Sequence, residues 1–335
     1  MANYTSTYTG LQIDAAITNS NLTLPTISNI TLDSTSNPFS ASDLGITLFD
    51  DCQVIKAHNG LYYMFLDDFT GNVNNDVYCV SSASPLFTSP TYIGKVITRP
   101  LSRVGGIVHD SENEEYIMYI TDRDTPREGV YAYSIPQADF PNGTWTNEGV
   151  VLPLGTADSH EGHIVDVMGN IIKDKPGLYT MYYSSFPSSL TGMREIFGNL
   201  AFSNNPKGVF NKYNGNPIYS ESPSSISYNI SETFGNYHPR AIIPMADGYL
   251  TFFEAYDADQ VYWFIGAAFI NKSFTVIQEI MGSPFFKAIN QSFANPDSYY
   301  IDLINKKLYI YYQSTDISES YNFKNQHVAI FSLIP

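Results

Sequence analysis

Hydrophobic and polar positions follow one order that recurs five times along this chain. Each copy begins with a short, nearly all-apolar strand, passes through a polar turn, and ends in an aromatic strand that an acidic or hydroxyl residue closes. Such strand–turn–strand units predict a repeat architecture of antiparallel hairpins. The copies are DDCQVIKAHNGLYYMFLDDF (50–69), VGGIVHDSENEEYIMYITDRD (104–124), SHEGHIVDVMGNIIKDKPGLYTMYYSSF (159–186), YHPRAIIPMADGYLTFFEAYD (237–257) and NPDSYYIDLINKKLYIYYQSTD (295–316).

A third strand follows most copies, and a fourth follows several of them. VYCVSSASP and HVAIFSLIP are third strands, and TYIGKVI and TWTNEGVVL are fourth strands. Three or four antiparallel strands in each of five units, without a long amphipathic helix, predict an all-β fold: a five-bladed β-propeller over residues 45–335. A two-sheet sandwich is the alternative, but it does not explain first strands that are apolar on both faces.

Residues 1–44 are predicted to form an N-terminal attachment segment, in part helical and in part extended. In TGLQIDAAI (9–17), Thr9 and Gln12 fit a capping box, and a helix this short needs a partner surface. The last unit ends at AIFSLIP without a fourth strand, which would leave an exposed edge. We therefore predict that SNITLDS (28–34) supplies the missing outer strand.

Composition and charge narrow the range of partners. The net charge of −16 argues against nucleic acid and against an anionic membrane surface, while sugars and metal ions stay compatible. The N-terminus does not resemble a secretory signal, and no apolar run reaches the roughly 18 residues that a membrane span needs. We expect synthesis in a cytoplasm, with Cys52 and Cys79 as buried free thiols rather than a disulfide framework.

The propeller topology predicts that the five first strands begin at the same end of a central channel. Polar residues stand at or just before these starts: Asp50, Asp51, Arg103, His160, Glu161, His238, Arg240, Asn295 and Asp297. Carboxylates that follow second strands, such as Asp67, are predicted to be turn residues. We predict contact with a substrate for one group of side chains, the two aromatic ones stacking on sugar rings. This group is Asp50, Arg103, His160, Arg240, Asp297, Tyr237 and Trp263.

Asp51 and Glu161 each stand directly before a channel strand, one in the first unit and one in the third. Glycoside hydrolysis uses two carboxyl groups, and a gap of about 6.5–9.5 Å between them admits the water of an inverting reaction. Non-adjacent blades of a five-bladed ring face each other across the channel. The two carboxylates are therefore candidates for such a pair.

Three motifs resemble those of glycoside hydrolase family 43 and its five-bladed relatives. They are DCQVIKAHNGLYYMF, EGHIV with the later LYTMYYS, and NLAFSNNPKGVFNKY, and the likeness covers residues from about 45 to 335. The resemblance implies Asp51 as general base, Glu161 as general acid and His238 as a ligand of a central metal ion or water. It requires no cofactor, and Ca²⁺ is the divalent cation to expect at the centre. Two positions depart from the family: Cys52 replaces a Pro, and Gly106 stands where an Asp orients the acid.

The N-terminal YTGLQIDAAI (8–17) resembles a segment near the start of bacteriophage tail-fibre and tailspike proteins. That resemblance implies a virion tail protein made in the host cytoplasm, with other tail proteins as partners of residues 1–20. A homo-oligomer is compatible with it.

Three functions follow from these observations. The first is a tail-associated, glycosidase-like propeller that binds host surface polysaccharide and hydrolyses it with Asp51 and Glu161. The second is a lectin-like receptor-binding propeller with a degenerate site, which the glycine at position 106 favours. The third is a purely structural virion protein.

Overall fold

The computed structural model confirms an all-β fold with five sheets, one for each predicted blade. It describes residues 29–69, 76–99, 102–122, 128–156, 159–175, 177–186, 197–220, 227–229, 236–246, 248–257, 262–271, 276–280, 285–286, 291–316 and 324–334. Within these ranges the helical structure consists of two short 3-10 turns, at Ala41–Leu44 and Gln137–Asp139. No helix in the described part has the length and apolar character to cross a membrane.

In the first three blades the strands follow the chain order within the sheet, except that the last short strand of blade 3 pairs with the third strand of that blade. Blade 1 contains β2 (Phe49–Lys56), β3 (Tyr62–Asp68), β4 (Val77–Ser82) and β5 (Thr91–Ile97). Blade 2 contains β6 (Ser102–Asp110), β7 (Glu115–Asp122), β8 (Gly129–Pro136) and β9 (Thr146–Pro153). Blade 3 contains β10 (Ile164–Lys175), β11 (Leu178–Phe186), β12 (Phe197–Ser203), β13 (Asn211–Lys212) and β14 (Tyr219–Ser220).

The last two blades each have one strand from elsewhere in the chain at the outer edge. Blade 4 contains β15 (Ser227–Asn229), β16 (Asn236–Pro244), β17 (Gly248–Asp257), β18 (Tyr262–Asn271) and β19 (Val276–Glu279), with β15 parallel to β19. Blade 5 contains β20 (Gln291–Asp302), β21 (Lys307–Asp316), β22 (Asn325–Ile334) and β1 (Asn29–Ser40).

The first strands of the blades, β2, β6, β10, β16 and β20, line the axis of the propeller. Each contacts the next one around the ring, and β20 contacts β2 to complete it. We call the face at which these strands begin the upper face, and the opposite one the lower face. Because each second strand is antiparallel to its first strand, second strands end at the upper face.

Apolar side chains pack between neighbouring blades rather than in one central core. Phe65 of blade 1 shares a cluster with Tyr116 and Met118 of blade 2, and a second cluster joins Tyr119 of blade 2 to Tyr183 of blade 3. In blades 1, 2 and 5 such clusters cover both faces of the sheet, so the strands are apolar on both faces. Cys52 and Cys79 are buried free thiols, as predicted.

The ring closes through β1, which pairs antiparallel with β22 from Asn29 opposite Ile334 to Ser40 opposite Asn325. This confirms the prediction that the segment around 28–34 supplies the outer strand of the last blade. Lys307 binds Asp33 across the sheet, with Nζ 2.5 Å from Oδ2. The sheet of blade 5 thus includes residues that the sequence assigned to the attachment segment 1–44. Residues 1–28, with the predicted helix, lie outside the described residues.

The innermost strands share one irregularity: each has a register shift against its second strand. In three of them the shift contains polar residues, between Phe49 and Cys52, between Pro239 and Ile242, and between Ala294 and Ser298. A bulge adds residues to one strand and re-aims their side chains. The bulges therefore turn Asp, Arg and Asn side chains towards the axis from strands that are otherwise apolar.

Side chains at the upper ends of second strands hold the next blade in place. Asp67 Oδ2 accepts a 2.6 Å hydrogen bond from the backbone N of Val104, and Glu254 Oε2 accepts a 3.0 Å bond from that of Asn295. Thr121 Oγ1 lies 3.2 Å from the backbone N of Val167 in the same arrangement. This role explains the acidic or hydroxyl residue near the end of the first, second and fourth repeats. Asp67 lies within β3 and is buried, so the prediction that it is a turn residue was wrong.

Replacing Thr121 by Val tests this inter-blade contact. Thr121 is fully buried, and the two side chains have nearly the same shape, so the variant removes the acceptor and leaves the Val167 N–H unpaired. An unsatisfied buried donor costs about 1–3 kcal/mol of unfolding free energy, measured by urea denaturation. The matched control is Thr91→Val on the exposed strand β5, expected to change stability by less than about 0.5 kcal/mol. Equal effects of the two substitutions would contradict the contact.

Candidate functional site

Charged and polar side chains from all five blades meet at the upper end of the axis. We call this set the axial cluster, and it consists of Asp50, Asp51, Arg103, Asp166, Arg240, Glu254, Asn295 and Asp297. Its carboxylates are buried, and Asp166 has no exposed surface. Buried charges need partners, and two arginines provide them.

Arg103 of blade 2 bridges blades 1 and 3. Its Nε lies 2.6 Å from Asp50 Oδ2 and 3.4 Å from Asp51 Oδ2, and its Nη1 lies 3.6 Å from Asp166 Oδ2. With 16% of its side chain exposed, Arg103 is more accessible than the carboxylates it pairs with. A ligand that approaches the upper face would meet this guanidinium group before the carboxylates.

Arg240 of blade 4 binds carboxylates of three blades. Its Nη2 lies 2.8 Å from Glu254 Oε1, its Nε 3.3 Å from Asp297 Oδ1 and its Nη1 3.8 Å from Asp51 Oδ1. Asn295 Oδ1 accepts a 2.6 Å hydrogen bond from Nη2. Asn295 has a φ of 56°, a left-handed conformation that Asn tolerates better than most residues. The backbone at this bulge thus turns the amide towards Arg240.

Two carboxyl groups, Asp297 of the axial cluster and Asp67 of blade 1, have raised pKa values. Burial raises the pKa of Asp297 well above its ordinary value although Arg240 opposes this, and the neighbouring Asp51 raises it further. Burial also raises the pKa of Asp67, with Asp51 and Asp50 adding to the effect. A proton on Asp297 lets it donate a hydrogen bond to Asp51, and protonation lowers the excess of negative charge.

Glu161 lies in the connection between blades 2 and 3, and its contacts are with blade 3. Its carboxylate accepts a hydrogen bond from the Tyr183 hydroxyl and lies 2.7 Å from Lys212 Nζ. The backbone N of Gly155 donates to Glu161 O at 3.0 Å, and a Cβ at Gly155 would lie 2.8 Å from that of Glu161. A glycine at 155 therefore permits the close turn that directs Glu161 towards Tyr183 and Lys212.

Five of the predicted site residues come together in the axial cluster: Asp50, Asp51, Arg103, Arg240 and Asp297. Glu161 and His160 lie in a different cluster, where His160 Nε2 is 3.1 Å from Asn199 Oδ1 and 3.9 Å from Glu161 Oε1. The side chains of Tyr237, His238 and Trp263 lie outside the described part of the chain. The catalytic pairing of Asp51 with Glu161 stays a prediction.

The fold is similar to those of several solved glycoside hydrolases. A family 117 glycoside hydrolase of Zobellia galactanivorans matches with a TM-score of 0.55 at 13% identity, over 91% of this chain and 90% of that one. A thermostable family-43 glycoside hydrolase matches with a TM-score of 0.58 at 15% identity, over 85% and 89%. An endo-arabinase of Bacteroides thetaiotaomicron matches with a TM-score of 0.54 at 15% identity, over 90% and 98%.

Sequence comparisons add no closer relation. No protein-family model matches the chain, and no curated protein matches it. At such low identities the structural likeness shows a shared five-bladed propeller fold, and the chemistry has to be argued from the residues themselves.

In blades 2 and 3 the side chains that lie at the axis are not the ones that the family resemblance implied. A Cβ at Gly106 would lie 3.3 Å from Ile171 Cγ1 and 3.6 Å from Val167 Cγ1, so this position faces the apolar interface with blade 3. An Asp there would be buried against apolar side chains. Arg103 and Asp166 are the charged side chains of these blades in the axial cluster. Asp166 was not among the predicted site residues, and its signal in the sequence is a carboxylate inside the apolar run IVDVM.

The divalent cation that the sequence resemblance implied stays a prediction, because the side chain of its predicted ligand His238 lies outside the described residues. Among them, no group of three His, Cys, Asp or Glu side chains has the arrangement of metal ligands. The carboxylates of the axial cluster lie against guanidinium nitrogens instead, as Asp51 does between Arg103 and Arg240. Acceptors and donors are both present at the axis, which suits recognition of hydroxyl groups.

A separate cavity of about 470 Å³ opens at the lower face, between blades 2 and 3. Asp110, Glu112, Glu115, Tyr179, Asn205 and Lys207 are among the residues that line it. Lys207 Nζ binds Glu115 Oε2 at 2.9 Å, so the cation of this cavity is already paired. Because β6 runs from Ser102 at the upper face to Asp110 at the lower one, the cavity lies at the other end of the blade from Arg103.

Proposed function

We propose that the protein binds an oligo- or polysaccharide at the upper end of its axis without cleaving it. The observation behind this proposal is that all five blades send polar side chains to one end of the axis, in a fold similar to that of glycoside hydrolases. Guanidinium donors and carboxylate acceptors in one site suit a ligand rich in hydroxyl groups. Such a ligand would make contacts with Arg103, whose side chain is partly exposed.

The partners of the two candidate catalytic carboxylates favour binding over hydrolysis. A general acid needs its carboxyl group within hydrogen-bond reach of the leaving oxygen. Glu161 instead has Tyr183 and Lys212 as partners, and Asp51 lies between two guanidinium groups. Each carboxylate would have to exchange a charged partner for substrate before it could transfer a proton.

Hydrolysis is the second candidate, because Asp51 and Glu161 are both retained near the starts of innermost strands in non-adjacent blades. In that case Asp51 is the general base and Glu161 the general acid. Movement of Lys212, whose side chain is 25% exposed, would be needed to free Glu161.

The resemblance of residues 8–17 to phage tail proteins supports a biological setting for either activity. In this proposal the protein belongs to a virion tail, residues 1–20 contact other tail proteins, and the ligand is a bacterial surface polysaccharide. A structural role in the virion would need no ligand.

The proposal is tested with the wild type, Glu161→Gln and Arg103→Gln on a panel of purified bacterial surface polysaccharides. We expect wild type and Glu161→Gln to bind the same glycan with equal affinity and without new reducing ends, while Arg103→Gln binds at least about tenfold more weakly, a loss of roughly 1.4 kcal/mol. The control is Arg99→Gln, which removes an ion pair with Asp122 rather than one of the axial cluster.

Two other outcomes would replace this conclusion. Release of reducing ends that falls by about 10²-fold or more in Glu161→Gln would establish a hydrolase with Glu161 as the acid. The structural role would be favoured if wild type neither binds nor cleaves any glycan of the panel.

A further inference from the structure

We propose that Arg103 and Arg240 supply, at the propeller axis, the positive charge that a bound divalent cation would otherwise supply. The ring is then held at its centre by two guanidinium groups and needs no metal there. This inference concerns the stability of the fold and does not depend on the proposed saccharide binding.

The first argument is the position of Arg240. Its guanidinium nitrogens lie within 4 Å of oxygens of Asp51, Glu254, Asn295 and Asp297, which belong to blades 1, 4 and 5. Four oxygen donors from several elements around one positive group resemble the surroundings that Ca²⁺ takes in proteins. Here the centre of that shell is occupied by a side chain from β16.

The second argument is that Arg103 repeats this arrangement from the neighbouring side. It contacts Asp50, Asp51 and Asp166, so Asp51 lies between the two arginines and links the two groups. The two arginines and the residues they contact together represent all five blades. The planar guanidinium group presents five N–H donors in a fixed geometry, whereas an ammonium group has three.

The third argument is electrostatic. Carboxylates packed this closely repel one another, and burial strengthens the repulsion because water no longer screens it. Removing one charge of a buried network leaves its partners uncompensated, which destabilises a protein strongly. Arg240 has almost no exposed surface, so water cannot replace it.

The test removes one guanidinium group and asks whether a metal ion can replace it. Thermal unfolding of wild type, Arg240→Gln, Arg103→Gln and the control Arg99→Gln is followed with excess EDTA and with millimolar calcium, which exceeds the dissociation constants of weak calcium sites. We expect the Tm of the wild type and of Arg99→Gln to be the same in both conditions. Arg240→Gln should unfold on the order of 5 °C or more below wild type in EDTA.

Calcium should raise the Tm of Arg240→Gln part of the way back to the wild-type value. In this variant four residues with side-chain oxygens surround the volume that the guanidinium group has left: Asp51, Glu254, Asn295 and Asp297. Folding of Arg240→Gln only in the presence of calcium would support the proposal equally. Arg103→Gln, altered at the more exposed position, should show a smaller loss with the same calcium response. A wild-type Tm that falls in EDTA and returns with calcium would overturn the proposal. It would also be overturned if both axial variants unfolded at the wild-type temperature.

Discussion

A variant that lacks residues 1–40 should lose the cooperative folded state that a variant lacking only residues 1–28 retains. The two differ by β1, which covers the outer edge of β22 along the length of blade 5. Ile30 packs into the cluster between blades 4 and 5, and Phe39 into the one between blades 5 and 1. Burial of two such side chains contributes about 1.5–3 kcal/mol each, before the sheet hydrogen bonds are counted.

This loss is large compared with the total of about 5–15 kcal/mol that stabilises a typical domain. An unpaired β22 would also present a free strand edge, which promotes association between copies. Urea unfolding followed by near-ultraviolet circular dichroism, with size-exclusion chromatography, measures both effects. Equal unfolding free energies for the two truncated chains would show that β1 does not close the ring.

The second large effect concerns pH: the contribution of Asp297 to the unfolding free energy should fall as pH rises above the ordinary carboxyl pKa. The difference in unfolding free energy between wild type and Asp297→Asn, measured from about pH 5 to about pH 8, should show this fall. The folded-state pKa of Asp297 is raised well above its ordinary value near 4, because burial and Asp51 disfavour the charged form. A raised carboxyl pKa contributes stability that is complete below the ordinary pKa and is lost as pH rises through the folded one. Each unit of pKa difference corresponds to about 1.4 kcal/mol.

Asn resembles the protonated carboxyl group in shape and can still donate to Asp51, but it does not ionise. Asp297→Asn is therefore expected to gain stability relative to wild type at the upper end of this pH range, and Asp67→Asn should act in the same direction. Asp33→Asn is the control of opposite sign. Burial acts to raise the pKa of Asp33, but the hydrogen bonds from Lys307 and Ser332 lower it overall. Parallel pH profiles of the unfolding free energy for wild type, Asp297→Asn and Asp67→Asn would contradict the raised pKa values of Asp297 and Asp67.

The sequence predicts the blades well because their strands are specified by alternating turns and apolar runs. Packing between blades covers both faces of blades 1, 2 and 5, so their apolar first strands could be recognised without knowledge of their partners. The closing strand was predictable for a related reason: a fifth blade that ends at β22 lacks an outer partner.

Side-chain directions at the axis were less predictable, since they depend on bulges and connections that a pattern does not encode. Asp166 lies in an apolar run, and only the contact with Arg103 reveals its role. Glu161 precedes an innermost strand as expected, yet its partner Lys212 stands 51 residues further along the chain. Asp67 looks like a turn residue until Val104 of the next blade is placed beside it.

Closure of the ring by β1 also sets the direction in which the propeller can be tethered. Asn29 pairs with Ile334, and both lie at the lower end of the outermost strands of blade 5. The axial cluster opens at the other end, on the upper face. A linker, surface anchor or fused domain joined ahead of Asn29 or after Ile334 would therefore attach at the lower face. The upper face, with the axial cluster, would then point away from the attachment.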